Sequence, residues 1–379
     1  MELTTRAAIL RSVCTERPYS DSSPLSVETV QIKEPRDGDV LLRIEAAGIC
    51  HSDLSVIDGT RPRPVPMALG HEAAGTIEIA GKATGLESGM RVVCSFVPSC
   101  GACRECLRDR PYLCDPAAAA NAGGTLLGGA VHLETSDGEP VHHHLGVSAF
   151  AQHAVVARES VVVIEDDTVP FETLALFGCA GLTGVGAVFN TARVRSGDSV
   201  AIFGLGGVGL AALLGARAAG AEPVIGVDPV EEKRNLAVSL GAGLAVSPEE
   251  APEAIADLSS GGVDFAFETA GLARVLESAF ASLRRGGTAI AIGLPHPDNS
   301  STFPALGFAG AGKSIVGSYM GSSHPQRDIP RYLALWKEGK LPIDRLLSHT
   351  LSLDDVNQAM ENLAAGHAVR QVLLPWPAG

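Results

Sequence analysis

Two short stretches in the first quarter of the chain carry side chains that bind transition metals. Residues 50–53 are Cys-His-Ser-Asp, and residues 70–72 are Gly-His-Glu. Catalytic zinc sites use three protein ligands and leave a fourth position open for water or substrate. Cys179 is the best third candidate, so we predict a catalytic zinc bound by Cys50, His71 and Cys179.

Two carboxylates accompany this ligand set. Asp53 is suited to accept a hydrogen bond from a ligand imidazole and so to fix its tautomer. Glu72 follows His71 directly and would place a further negative charge close to the metal. The density of polar groups in these two stretches favours a metal site over an unrelated buried thiol and structural histidine.

A second group of thiols lies in a lobe that we place at residues 95–116. Its spacing is C-x2-C-x2-C-x7-C. Four thiolates in one short loop can close a tetrahedral site, so we predict a structural zinc. An iron–sulfur cluster is the alternative, because C-x2-C-x2-C also begins a ferredoxin-type run, and a lobe without metal is the third possibility. The predicted ligands are Cys100, Cys103, Cys106 and Cys114.

A dinucleotide site is predicted further along the chain. Residues 199–203 form a short apolar run that is typical of a buried parallel strand, and residues 204–209 are Gly-Leu-Gly-Gly-Val-Gly. This motif has a strand before it, a helical stretch after it, and an acid, Asp228, about 20 residues on. Asp228 would bind the adenosine ribose hydroxyls and repel a 2′-phosphate, which favours NAD over NADP. The other predicted cofactor contacts are Gly204, Gly206, Gly207, Val208, Gly209, Lys233 and Gly293.

The elements that must position these groups differ between two parts of the chain. Before the glycine motif, short strands separated by glycine turns predict a β-rich, barrel-like domain. Around and beyond the motif, strands alternate with helices, which predicts a doubly wound parallel sheet and an α/β fold. We expect the C-terminal tail to return to the first domain. The predicted catalytic domain is therefore residues 1–180 and 320–379, and the dinucleotide-binding domain is residues 181–319.

Composition argues against several classes of protein. The chain has 379 residues, of which 46% are hydrophobic and 19% charged, and this indicates a globular protein. A net charge of −14 argues against a nucleic-acid partner. Because we find neither an apolar run of roughly 18 residues nor the layout of a signal peptide, we predict no membrane partner and a cytoplasmic location.

Residues 142–144 are three consecutive histidines. Such a tract resembles a metal-binding segment. It is internal and short, however, so we predict a solvated loop there.

The order of these motifs resembles that of the zinc-dependent, medium-chain alcohol dehydrogenases. The similarity covers essentially the whole chain and rests on residues 48–53, residues 70–75, the four-cysteine lobe, residues 178–179 and residues 204–209. It implies a GroES-like catalytic domain interrupted by a Rossmann domain, NAD and two zinc ions per chain, and a homodimer or homotetramer. Three other segments look nearer to a bacterial branch of the family, namely residues 97–100, 227–231 and 322–328. That branch includes aryl- and allyl-alcohol dehydrogenases and enzymes that use an artificial acceptor.

The resemblance also implies roles that spacing alone does not assign. His51 and Arg370 sit where the family contacts the cofactor pyrophosphate. Phe96 looks like a wall of the substrate pocket, and Thr183 looks like a contact near the nicotinamide. The implied reaction is hydride transfer from an alcohol to NAD, with zinc as the Lewis acid and Ser52 carrying the hydroxyl proton outward.

Two departures from the family pattern bear on the predicted function. The family's best-studied members extend the proton relay to a histidine at the place that Ser55 occupies here, so the relay would end on water. No arginine directly follows Cys114, where glutathione-adduct formaldehyde dehydrogenases of the family carry one. The leading hypothesis is NAD-dependent oxidation of small primary alcohols, aromatic or allylic, to aldehydes. The alternatives are a thiol-adduct formaldehyde dehydrogenase and a catalytically silent NAD-binding protein.

Overall fold

The computed structural model describes residues 3–259 and 261–377. They divide into two compact units, one made of residues 3–179, 324–326 and 347–377, and one made of Ala180–Ser323 and Arg327–Leu346. Each unit has a hydrophobic core of its own.

The strands define both units. In chain order they are β1 (Leu3–Leu10), β2 (Leu25–Ile32), β3 (Asp39–Gly48), β4 (Met67–Ala68), β5 (Glu72–Ala80), β6 (Arg91–Cys94), β7 (Leu133–Glu134), β8 (Pro140–His143), β9 (His153–Ala157), β10 (Val161–Ile164), β11 (Val200–Phe203), β12 (Val224–Val227), β13 (Leu244–Val246), β14 (Val263–Glu268), β15 (Leu283–Ala291), β16 (Ser314–Gly317), β17 (Leu347–Ser352) and β18 (Arg370–Leu374).

The helices are short or of moderate length. They are α1 (Tyr19–Ser22), α2 (His51–Ile57), α3 (Asp115–Gly123), α4 (Phe171–Ala175), α5 (Ala180–Gly186), α6 (Gly207–Ala218), α7 (Glu231–Ser239), α8 (Ala251–Leu258), α9 (Ala273–Ala281), α10 (Ala305–Ala309), α11 (Pro325–Lys337) and α12 (Val356–Ala364). A π-helical turn, Ala187–Ala192, continues α5. Within the part of the chain that is described, none of these helices combines the length and the apolar character that crossing a membrane requires.

The first unit contains a closed barrel and a second sheet. The barrel has the strand order β1-β2-β7-β8-β4, in which β4 and β8 pair in parallel. The second sheet has the order β10-β6-β5-β3-β18-β17, and β9 also pairs with β3. Alternate side chains of β3 and its neighbours fill the core of this unit. The predicted β-rich, barrel-like domain is therefore confirmed.

Three strand ends of the second sheet meet where the predicted metal ligands lie. Gly48, the last residue of β3, pairs with Glu72 of β5 and with Val372 of β18. Because β3 ends and β5 begins at this edge, Cys50 and His71 leave the sheet side by side. The C-terminal end of the chain reaches the same edge through β18.

The second unit is built on a six-stranded parallel sheet. Its order is β13-β12-β11-β14-β15-β16, which is the order of doubly wound dinucleotide-binding folds. All residues of β11 and β12 are buried, as expected for central parallel strands. The predicted α/β fold with a doubly wound parallel sheet is confirmed.

The observed division differs from the predicted boundary at residue 320. Residues 327–346 group with the second unit, because α11 packs there. The ring of Tyr332 stacks on Phe189 with centroids 6.1 Å apart, and the buried carboxylate of Asp328 accepts a hydrogen bond from Asn190 at 3.0 Å. The tail is therefore split, and its last part, from β17 to β18, belongs to the first unit.

Candidate active site

Three predicted metal ligands converge in the first unit. The Sγ atoms of Cys50 and Cys179, 129 positions apart in the chain, lie 3.9 Å from each other. The ligand atoms of Cys50, His71 and Cys179 all lie within 4.8 Å of one another. Cys50 is the N-cap of α2, where its backbone N–H donates to Asp53 Oδ2 at 3.1 Å. Chain segments that are distant in sequence thus build one compact cluster.

Gly178 allows Cys179 to reach this cluster. A Cβ atom on Gly178 would lie 2.8 Å from the carbonyl oxygen of Cys94 and 3.2 Å from Cβ of Glu72. A side chain there would therefore collide with the end of β6. Glycine lets the segment after α4 pass close enough for the thiol to face Cys50.

The electrostatics of the cluster fit a divalent cation. A hydrogen bond from Cys179 lowers the pKa of Cys50 well below its ordinary value, with His71 adding to the effect. The same hydrogen bond and burial raise the pKa of Cys179. Nε2 of His71 is buried and has no hydrogen-bond partner among the described residues. A zinc ion would stabilise both thiolates and occupy this nitrogen.

Glu72 and Arg370 form a buried ion pair beside these ligands. Nη2 of Arg370 donates to Oε1 of Glu72, and Nη1 donates to the carbonyl oxygen of Ile49 at 3.1 Å. Burial raises the pKa of Glu72, although the guanidinium acts in the opposite direction. The family role of Arg370 at the pyrophosphate stays a prediction; its observed partners are Glu72 and Ile49.

The residues of the predicted proton route lie on the first turns of α2. Oγ of Ser52 lies 3.9 Å from Sγ of Cys50. Ser55, at the place of the family's relay histidine, donates its hydroxyl to the carbonyl oxygen of His51 at 2.8 Å. His51 is exposed at the first position of the helix. The hydroxyl of Ser55 is thus engaged locally.

The predicted solvated loop at residues 142–144 is wrong. β8 is paired on both sides inside the barrel, and the side chains of His143 and His144 are buried. Nε2 of His143 accepts the backbone N–H of His132 at 3.0 Å. His132 in turn lies 3.0 Å from Asp39 through Nε2. Burial acts to raise the pKa of Asp39, but hydrogen bonds from His132 and a neighbouring arginine outweigh it and hold the pKa at about 2.

His144 lies beside the metal ligands and was missed in the sequence. Its Nδ1 is 3.0 Å from Oδ1 of Asp53, and its ring meets that of His71 edge-on with centroids 5.3 Å apart. Phe96 also meets His71 edge-on, at 5.6 Å. In the sequence, three adjacent histidines resemble a polar tract. Nothing in the neighbouring residues predicts strand β8 or the burial of His143 and His144.

The four cysteines of the predicted structural site also cluster, with their sulfur atoms within 4.8 Å of one another. The backbone N–H groups of Cys100 and Cys103 each donate to a sulfur of the set, at 3.3 Å. A backbone hydrogen bond from Cys106 lowers the pKa of Cys103 to about 6, whereas burial and the neighbouring sulfurs raise the pKa of Cys106 to about 12. A bound cation would stabilise the thiolate forms, and the donor set fits zinc.

The glycine motif in the second unit forms the turn between β11 and α6. Gly204 has φ +94°, and a Cβ on Gly209 would lie 1.8 Å from the carbonyl oxygen of Gly204. Gly206 is the N-cap of α6, and Gly207 and Val208 open its first turn. The free N–H groups of such a turn form an anion-binding site.

Asp228 lies at the end of β12 and is buried. Its Oδ2 accepts the N–H of Leu205 at 2.7 Å, and its Oδ1 accepts the N–H of Val230 at 2.9 Å. The carboxylate therefore links the glycine turn, through Leu205, to the turn that follows β12, through Val230.

The remaining predicted cofactor contacts also lie in the second unit. Lys233 is half-buried on α7, and Thr183 is buried in α5. Gly293 follows β15, and a Cβ there would lie 2.1 Å from the backbone nitrogen of Gly271. This close approach gives Gly293 a packing role whether or not it contacts a cofactor.

Comparison with known families gives matches in both units. Residues 36–166 match the alcohol dehydrogenase GroES-like domain, and residues 207–338 match the zinc-binding dehydrogenase family.

Individual proteins match over nearly the full length. The chain is 38% identical to a geraniol dehydrogenase of Castellaniella defragrans and 36% identical to an NDMA-dependent alcohol dehydrogenase of Amycolatopsis methanolica, with 98% of each chain covered in both cases. The crystal structure of benzyl alcohol dehydrogenase from Acinetobacter calcoaceticus superposes with a TM-score of 0.91 at 31% identity, covering 99% of this chain and 100% of that one.

Proposed function

Since the chain belongs to the zinc-dependent, medium-chain alcohol dehydrogenase family, we propose that it oxidises small primary alcohols reversibly to aldehydes by hydride transfer to NAD. The observation that carries the proposal is the cluster of Cys50, His71 and Cys179, in which a buried imidazole nitrogen has no partner among the described residues. Two thiols and an imidazole leave one tetrahedral position open, as a catalytic zinc requires.

Each residue of the cluster has a separate task. Cys50, His71 and Cys179 would hold the zinc, which when bound supplies Lewis-acid activation of the substrate oxygen. Asp53 orients the ring of His71 through Nδ1, at 3.1 Å. Ser52, whose Oγ lies 3.9 Å from Sγ of Cys50, would relay the proton that the substrate hydroxyl loses, accepting it on Oγ as its own hydroxyl proton passes to water.

NAD is the proposed acceptor. The carboxylate of Asp228 lies at the end of β12, where the ribose of an adenine dinucleotide binds in doubly wound folds. It already accepts two backbone N–H groups, and an ionised carboxylate keeps further acceptor positions for ribose hydroxyls. Because the charge of Asp228 opposes a 2′-phosphate, we propose NAD and not NADP.

The proposed substrates are allylic and aromatic alcohols. The support comes from relatives whose names state geraniol and benzyl alcohol as substrates. The aromatic ring of Phe96, packed against His71, would offer an apolar surface next to the metal. A flat, unsaturated alcohol would gain most from such a contact.

We also propose a homo-oligomer in a reducing compartment. Strand β16 pairs with β15, and its other edge has no strand partner in the described residues. Val316 on this strand and Leu306 and Phe308 on α10 are exposed. An apolar sheet edge is suited to pairing with a second copy of the chain.

The reducing compartment is proposed from the cysteines. All eight cysteines are free thiols, which fits the cytoplasm.

The test combines metal analysis with initial rates. We expect two zinc ions per chain and turnover of geraniol-like and benzylic alcohols with NAD, well above that with NADP. Cys50→Ser should lose one zinc and nearly all activity, while Cys14→Ser, a cysteine outside both clusters, should lose neither. The panel includes NDMA as acceptor and formaldehyde with a low-molecular-weight thiol. Turnover of the thiol adduct alone, or full activity in Cys50→Ser, would overturn the proposal.

A further inference from the structure

The barrel brings a second histidine to the metal ligands. β4 and β8 run parallel, with Ala68 paired to His143. The next residues of both segments leave the barrel at the same end. His144 follows β8 directly, and His71 lies three positions after Ala68. The backbone N–H of His144 donates to Oγ of Ser148 at 2.9 Å, which ties the segment down at this point.

The carboxylate of Asp53 joins the two imidazoles. Oδ1 lies 3.1 Å from Nδ1 of His71 and 3.0 Å from Nδ1 of His144, and it also accepts the N–H of Gly70 at 3.1 Å. Oδ2 accepts the N–H of Cys50 at 3.1 Å. His71 makes a hydrogen bond to Oδ1, whereas Nδ1 of His144 is in close contact with the same oxygen without the geometry of a hydrogen bond among the described residues. Asp53 is fully buried, so these groups are the environment that its charge has in place of water.

We propose that His144 is a positioning residue for the metal ligand His71 and acts through their shared partner, Asp53. The inference rests on the proposed function in one respect, namely that His71 binds zinc through Nε2. His144 would hold the carboxylate of Asp53 from the side of β8. Neither the zinc ligands nor Asp53 itself can do so from that side.

Donor and acceptor counts fix which nitrogen of each imidazole carries the proton. An ionised carboxylate only accepts hydrogen bonds, so an imidazole that faces it must present an N–H. His71 therefore carries its proton on Nδ1 and directs the lone pair of Nε2 toward the two thiols. The carboxylate can rotate about its own side-chain bonds unless its oxygens are held. Two backbone N–H groups hold it from α2 and from the segment before β5, and His144 holds it from a third direction.

A histidine at this buried position is explained if its polar atoms hold the carboxylate of Asp53. The side chain of His144 is 1% exposed, and an apolar ring could fill the same volume without the cost of desolvating two nitrogens. Groups that orient metal ligands through a hydrogen bond typically change metal affinity or activity by about 10- to 100-fold when they are lost. We expect an effect of this size on the retention of the catalytic zinc.

The test uses variants that separate the N–H of His144 from its volume. His144→Phe keeps a ring without a donor. His144→Asn places an amide near the position of Nδ1, and His144→Gln places it further out, near that of Nε2. The rate of zinc transfer to a chromogenic chelator is measured for each variant, and the four-cysteine zinc of the same molecule serves as the internal reference. Cobalt substitution reports the geometry at the cluster through its d–d absorption.

The expected order is set by the N–H. His144→Phe should release the catalytic zinc about 10- to 100-fold faster than the wild type and shift the cobalt bands. His144→Asn should stay within about threefold, since its amide N–H can face the same oxygen of Asp53, and His144→Gln should lie between them. In an Asp53→Asn background the change to Phe should add much less, because both act on one interaction. Release of the four-cysteine zinc should not change.

Several outcomes would overturn the inference. Wild-type release rates and cobalt bands in His144→Phe would do so, as would an Asn variant as defective as the Phe variant, since that indicates packing alone. Loss of a third metal ion with His144 would show that it is itself a ligand. If His144→Phe does not fold, equal release from the Asn and Gln variants would count against the inference. A wild-type protein that binds only the four-cysteine zinc would instead refute the proposed function.

Discussion

Gly206 separates the cofactor role of the glycine turn from its structural role. Its backbone, at φ −79° and ψ −171°, is open to any residue, and a Cβ there would meet nothing within 4 Å. At Gly209 a Cβ would lie 1.8 Å from a backbone oxygen. The protein itself therefore requires glycine at position 209 but gives no reason for it at 206. A bound pyrophosphate would supply that reason.

The expected magnitudes follow from this contrast. Gly206→Ala should change the free energy of unfolding by less than about 1 kcal/mol, because alanine reduces the entropy of the unfolded chain but is a poorer N-cap than glycine. Its methyl group would displace the pyrophosphate from the helix N-terminus. Loss of one hydrogen bond to a charged group, about 1.5–3 kcal/mol, should raise the Kd for NAD by about 10- to 150-fold. Gly209→Ala should lower the free energy of unfolding by about 1–3 kcal/mol or more.

Two measurements on each variant decide the matter. Urea denaturation gives the free energy of unfolding, and calorimetric titration gives the Kd for NAD. Gly38→Ala is the matched control, since a Cβ at that glycine also meets nothing within 4 Å and the residue lies in the first unit. Unchanged NAD affinity in Gly206→Ala would refute the assignment of the turn. A loss of stability as large as that of Gly209→Ala would refute the steric reasoning.

Three further predictions concern other sites. Asp39→Asn should lower the free energy of unfolding by about 2 kcal/mol at neutral pH, because the native pKa of Asp39 is about 2. That stabilisation is present above pH ~4 and is lost as the pH falls toward 2, so the difference from wild type should be about halved at pH 3. Urea titrations at several pH values test this, with Asp167→Asn as the control at an exposed position. A difference that does not change with pH would contradict the prediction. Cys103→Ser should lose one zinc and lower the melting temperature while the other zinc stays, and iron in the wild-type lobe would disprove the zinc assignment. Asp228→Asn should shift the ratio of the Kd values toward NADP by about tenfold or more, and an unchanged ratio would show that this carboxylate does not select the cofactor.

The parts of the structure that follow from local patterns were predictable. The strand, glycine turn and helix at β11 and α6 were expected because the turn needs a positive φ at Gly204 and no side chain at Gly209. The clustering of Cys50, His71 and Cys179 was expected from residue types, since soft thiolates and imidazole share a preference for zinc, together with the family resemblance.

The parts that depend on distant pairing were not predictable. His144 reaches Asp53 only because β8 pairs in parallel with β4, and nothing in three adjacent histidines states which of them will be buried. The ion pair of Glu72 with Arg370 depends on β18 joining the sheet far from β5 in sequence. The position of α11 in the second unit depends on the contact of Tyr332 with Phe189. A single sequence carries no local record of such contacts.

The discontinuous first unit has a consequence for biosynthesis. The four-cysteine lobe lies within residues 95–116 and can close as soon as Cys114 leaves the ribosome. The other cluster must wait for Cys179, and β18, which begins with Arg370, is made only after the whole second unit. At about 5–20 residues per second, that strand arrives roughly ten seconds or more after Cys179. We therefore expect the nascent chain to acquire its two metals in a fixed order, the structural one first. The thiols of Cys50 and Cys179 would meet cellular zinc, copper and oxidants before β18 has joined the sheet beside them.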